Sequence, residues 1–191
     1  MTYDRVTRLL HLLIAAGITA QMLVSLVMVT PRPGRPENAW FELHETLGVV
    51  LLIVLAAHWL WSIRLTLASG GPLPLFPWFS PRGLKALGDD AAITAGTLLR
   101  GHLPPTEAPR PLPAAFQGLG LLVATFLGAT GTVMLVGMGP QGEMAGLLHA
   151  IKESHETAGT LMWIYLVAHP SVAVIHQLAG HDTLKRMFRL N

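Results

Sequence analysis

Apolar residues fall in four long blocks bounded by charge. The first runs from Leu9 to Val29 and carries no charged residue. The second lies between Glu45 and Arg64 and is interrupted only by His58. The third lies inside the charge-free interval between Arg110 and Glu143, roughly residues 114–138, and the fourth lies between Glu156 and Asp182. A hydrocarbon core takes about 20 apolar residues of helix. In lipid the backbone must satisfy its own hydrogen bonds, so each block should be a helix. The pattern predicts spans over roughly 9–29, 46–64, 114–138 and 157–179, and an all-α fold, a transmembrane four-helix bundle. Arg5 and Arg8 precede the first block as they would in a signal peptide. The block is too long for that and no small-residue cleavage site ends it, so it reads as a retained anchor.

The longest connection, roughly 66–113, is proline-rich at both ends: Pro72, Pro74, Pro77 and Pro81, then Pro104, Pro105, Pro109, Pro111 and Pro113. Between them, Pro81 to Arg100 reads as an amphipathic helix, with Leu84, Leu87, Ala91 and Leu98 near helical spacing. Trp78 and Phe79 just before it suit a membrane interface. The segment is expected to rest on the membrane surface as a linker. The third block holds Gly118, Gly120, Gly128, Gly131 and Gly137, which permit close helix packing.

Composition agrees with a membrane chain. Of 191 residues 51% are hydrophobic and 13% charged, whereas soluble domains carry about 25% charged residues. A soluble globular domain and a disordered chain are thereby excluded. The net charge is only +2 and no Lys/Arg cluster forms a groove-sized patch, so no nucleic acid is expected as a partner. With no cysteine, disulfides, iron–sulfur clusters and covalent c-type heme are excluded.

Charge also predicts orientation. Four spans put both termini and the 66–113 connection on one side. That side holds Arg5, Arg8, Arg64, Arg82, Lys85, Arg100, Arg110, Lys185, Arg186 and Arg189; the other holds Arg32, Arg35 and Lys152. The positive-inside rule then places both termini in the cytoplasm and residues 30–43 and 139–154 outside.

Nine histidines against eleven acidic residues need explaining in such a chain. His155 and His169 are fourteen residues apart. Fourteen residues turn a helix through about 1400°, within about 40° of whole turns, and climb about 21 Å. Both imidazoles should share one face, one toward each membrane surface. Imidazole in a dry bundle core serves as metal ligand, proton relay or satisfied structural group. Two imidazoles on opposite sides of a heme iron leave no open position, which suits electron transfer. Partners must lie at matching depth. His44 opens the second span beside the level of His155, and His11 begins the first at the level of His169. This pairs His44 with His155 and His11 with His169. One feature competes: HETLGVVLLIVLAAH in the second span and HETAGTLMWIYLVAH in the fourth share His-Glu-Thr-x-Gly with a second histidine fourteen positions on. His58 is therefore a rival to His11. His149, His176 and His181 read as polar groups near helix ends, His102 as a solvated loop residue, and Met22, Met28, Met134 and Met162 as core. Pro170, directly after His169, frees a carbonyl in the preceding turn and kinks its helix.

Together YDRVTRLLH at the first span, LHETLG at the second and SHETAG…AH…H with DTLKRM at the fourth resemble the prokaryotic cytochrome b561 family, related to the cytochrome b subunits of nickel–iron hydrogenase and formate dehydrogenase. The resemblance covers all four spans and is weak in the third. It implies one b561-like membrane domain over residues 1–191, a multi-pass protein of the bacterial inner membrane, holding two heme b groups. The family's ligand positions fall on His11, His44, His155 and His169. Two departures stand out. The family more usually has an arginine at the position of His58, and its connection corresponding to 66–113 is shorter. The implied function is electron transfer between a periplasmic-side partner, a dehydrogenase or a c-type cytochrome, and membrane quinone such as ubiquinone. A self-contained superoxide:quinone oxidoreductase is the alternative. The outer segments carry Arg32, Arg35 and Lys152 against Glu37, Glu42, Glu45, Glu143, Glu153 and Glu156; this acidic balance disfavours an anionic substrate and favours a basic partner. A non-redox bundle such as a transporter is weaker, since the repeat is parallel and sits at a membrane surface rather than the midplane. No residue stands out for quinone binding.

Overall fold

The structure is a computed structural model that describes residues 4–69, 75–104, 110–139 and 141–188. Pro72, Pro74, Pro105 and Pro109 of the proline-rich connection, and Arg189, lie outside the described residues. The elements are α1 (Arg5–Ser25), α2 (Ala39–Ser69), a 3-10 turn (Pro77–Phe79), α3 (Pro81–Leu99), α4 (Pro111–Gly137), α5 (Leu147–Leu178) and α6 (Thr183–Phe188). The described residues form no strand; Arg32 and Arg35 make an isolated bridge. The fold is all-α, and α1, α2, α4 and α5 are long and apolar enough to span a membrane.

Helix bounds differ from the apolar blocks for local reasons. Helix α1 starts at Arg5, ahead of the block, because Asp4 caps it: its Oδ1 accepts from Val6 N and Thr7 N, both at 3.0 Å. It stops before the block ends. There the Asn38 side chain takes over, accepting from Val29 N at 2.9 Å and donating to Val27 O at 3.1 Å. The same Asn38 Oδ1 accepts from Phe41 N at 3.1 Å and so caps α2. Helices α2 and α5 have 31 and 32 residues, about 46–48 Å at 1.5 Å per residue. Both outrun a core of about 30 Å, so their ends carry charge. Helix α3 matches the expected Pro81–Arg100 segment; Ser80 Oγ accepts from Gly83 N and Pro81 occupies the first turn. Helix α5 continues through Pro170. It closes with Gly180 at φ 85 and a His181 N to His176 O bond of 3.0 Å, a Schellman end.

The chain divides into two compact units. One comprises residues 10–58 and 122–166. Four helix segments pack in it around Met22, Leu51, Leu55, Ala124, Ala158 and Met162, all buried. Met22 and Met162 are thus core, as expected. Glycine sets the closeness. A Cβ at Gly17 would collide with Leu51, one at Gly128 would lie 3.0 Å from Leu52 Cδ1, and one at Gly137 2.9 Å from Leu148 Cδ1. Ile53 on the outer face is 65% exposed, as a lipid-facing side chain should be.

The other comprises residues 1–9, 59–121 and 167–191. The Trp59 ring stacks on Phe76 with centroids 5.1 Å apart, and Phe76 is buried. Trp78 and Phe79 join the same aromatic cluster, with Phe79 itself exposed. Trp61 Nε1 donates to Asp4 Oδ1 and Thr7 Oγ1, each at 3.2 Å. Arg110, just before α4, reaches the buried Asp90 of α3.

Candidate functional site

His44 sits in the second turn of α2 and His155 in the third turn of α5, both in the unit of residues 10–58 and 122–166. Their ring centroids are 6.4 Å apart and their planes cross at 76°. Depth had paired these two, and the structure brings them together. His11 and His58 belong to the same unit, and His169 to the other. The His169 ring lies parallel to Phe116, with centroids 6.1 Å apart and planes 17° apart.

The surroundings of the first pair are built from three helices. Gln21 of α1 donates from Nε2 to the His44 carbonyl at 2.7 Å. Gly48 makes room for that amide, since a Cβ there would lie 3.2 Å from Gln21 Nε2. The glycine of the first His-Glu-Thr-x-Gly copy thus admits the group that holds its histidine's backbone. In the second copy, a Cβ at Gly159 would meet nothing within 4 Å among the described residues. On α4, Thr130 Oγ1 lies 2.9 Å from His155 Nδ1. A Cβ on the adjacent Gly131 would stand 3.3 Å from His155 Cε1. Two buried polar atoms, His44 Nδ1 and Gln21 Oε1, have no hydrogen-bond partner among the described residues.

The chemistry of this donor set can be tested against a group it would hold. Among the described residues no three His, Cys, Asp or Glu side chains cluster to hold a bare metal ion. A heme iron asks less of the protein, because the macrocycle supplies four nitrogens and leaves two axial positions. Two imidazoles from different helices, with centroids 6.4 Å apart and crossed planes, would suit those two positions, one ring on each side of the group. A buried imidazole nitrogen with no hydrogen-bond partner among the described residues also suits a residue that would hold such a group.

Sequence reasoning missed Gln21 and Thr130, and singled out Gly131 only as one of the glycines that permit close helix packing. Thr130 and Gly131 stand inside a run, GATGTV, whose only visible signal was glycine content. His176 and His181, read as isolated polar groups, face each other with Nδ1 atoms 2.8 Å apart across the Schellman end of α5.

The family model described as prokaryotic cytochrome b561 matches residues 2–190. No curated protein and no solved structure matches the chain. A match over nearly the whole length, together with four membrane-spanning helices, implies heme b binding and electron transfer: the chain belongs to the prokaryotic cytochrome b561 family.

Proposed function

We propose that the chain is a two-heme electron conduit of the bacterial inner membrane, passing electrons between a periplasmic-side partner and the quinone pool. One observation carries the reading: His44 and His155, on different helices, face each other with ring centroids 6.4 Å apart, a pair that would hold a heme from both sides. These two hold the outer heme. His11 and His169, paired by depth in the sequence, hold the inner one. When bound, b heme supplies reversible one-electron exchange at a six-coordinate iron.

The protein's own share is placement and shielding. Thr130 and Gly131 fix and accommodate the His155 ring, and Gln21 braces the His44 backbone. The buried Leu51, Leu55, Ala124, Ala158 and Met162 line the unit with apolar groups that keep water out and the dielectric low. The outer segments carry six glutamates against Arg32, Arg35 and Lys152. That balance favours a basic partner, such as a c-type cytochrome or a basic face of a periplasmic dehydrogenase. It disfavours superoxide as the donor, because an anion would be repelled.

The test is a pyridine hemochrome assay on the purified chain and its histidine variants. Two b hemes per chain are expected. His44→Ala and His155→Ala should each lose the same heme, His11→Ala the other, and His58→Ala neither. No heme in folded protein overturns the conduit. Loss of a heme in His58→Ala but not in His11→Ala moves the inner ligand onto α2. The chain alone should reduce a quinone analogue only slowly with superoxide; rapid turnover would make it a self-contained oxidoreductase.

A further inference from the structure

Thr130 has one hydroxyl proton and three neighbours for it. Its Oγ1 lies 2.7 Å from Phe126 O and 3.2 Å from Leu127 O, both carbonyls of its own helix, and 2.9 Å from His155 Nδ1. Carbonyls only accept. If the hydroxyl donated to the imidazole, two oxygen lone pairs would face each other at the 2.7 Å separation from Phe126 with no proton between them. The proton therefore belongs on the Phe126 bond, and Oγ1 meets His155 as an acceptor. That oxygen asks the ring for a proton.

We infer that Thr130 is a positioning residue that fixes His155 in the tautomer with its proton on Nδ1, leaving the lone pair of Nε2 free to bind iron. The neutral ring carries a single N–H, so a donor at Nδ1 makes Nε2 the acceptor. Gly131 completes the arrangement by leaving the Cε1 edge unobstructed. An acceptor held against the remote N–H makes a ligating imidazole more basic and favours the oxidised metal. This inference rests on the proposed ligation by His155, and it assigns α4, the helix without a ligand histidine, a part in setting the potential of the outer heme.

The experiment is a spectroscopic redox titration of the purified holoprotein with Thr130→Val and Thr130→Ser, alongside the low-spin ferric spectrum of each. Valine keeps the shape and deletes the acceptor; serine keeps the acceptor. Thr130→Val should raise the midpoint of one heme, leave the other unchanged and alter one low-spin signal, while Thr130→Ser stays close to the unaltered protein. Loss of that heme in Thr130→Val with retention in Thr130→Ser supports the same role. Unchanged midpoints in Thr130→Val overturn it, as does equal loss of heme from both variants, which would make Thr130 a packing residue. Failure of the conduit reading looks different: the unaltered protein itself would then lack heme, or would keep it without His155.

Discussion

Asp4 shows how one side chain fixes where a membrane helix begins. Its carboxylate accepts from Val6 N, Thr7 N, the Thr7 hydroxyl at 2.5 Å and Trp61 Nε1. Partial burial pushes this carboxyl up, and the bonds from Thr7, Val6 and Trp61 together outweigh that and hold it below the ordinary carboxylate value. A carboxyl lowered on folding stabilises fully above its unfolded value, and that stability is lost as pH falls through the folded value. Asp4→Ala should therefore cost about 1 kcal/mol at neutral pH. The difference in thermal unfolding between the two proteins should be constant above about pH 5 and shrink below about pH 4. High salt should weaken the effect, since the group is largely exposed. A pH-independent difference would mean that Asp4 acts through shape rather than charge. At this scale the meeting of His44 and His155 was legible in the sequence, because depth along each helix is local geometry. The atoms that orient them were not. Thr130 meets His155 across 25 residues of chain and Gln21 meets His44 across 23, and no periodicity announces such contacts.

At the scale of elements, hydropathy located all four long helices and α3, but the docking of α3 came from a polar residue that the amphipathic reading passed over. Asp90 is 8% exposed. Arg110 gives it Nε at 2.8 Å and Nη2 at 2.5 Å, and Nη2 also donates to Thr94 Oγ1 at 2.6 Å. The other carboxylate oxygen accepts from Leu112 N at 3.0 Å, so Asp90 caps the first turn of α4 as well. A buried pair of this kind contributes little over apolar packing, but removing one partner strands the other charge. Asp90→Ala should destabilise by about 3–5 kcal/mol and expose the 81–110 segment to limited proteolysis. The double variant Asp90→Leu with Arg110→Met should recover most of that loss. If the double variant is no better than the single, the pair contributes through its hydrogen bonds to Thr94 and Leu112 and not through mutual charge. The helix bounds were the least legible feature here. They depend on caps such as Asn38, whose partners include residues on both sides of a turn.

For the whole molecule, orientation rests on the thirteen Lys and Arg residues, and it is separable from ligation. The distance between His44 and His155 is the same whichever way the chain is inserted. What inversion would change is which compartment the His44–His155 pair faces, and hence the partner. The ten-to-three division of cations predicts that a fluorescent protein fused after Asn191 lights up in the cytoplasm, and that a periplasm-dependent phosphatase at the same point stays inactive. The same phosphatase inserted in residues 30–43 should be active. The opposite result at both points would put His44 and His155 on the cytoplasmic side, and the acidic segments around Glu37 and Glu143 would face cytoplasmic partners. The effect of Thr130→Val should survive that inversion, since it depends on the Thr130–His155 contact inside one compact unit. The c-type cytochrome would not survive it, because such a partner works outside the cytoplasmic membrane.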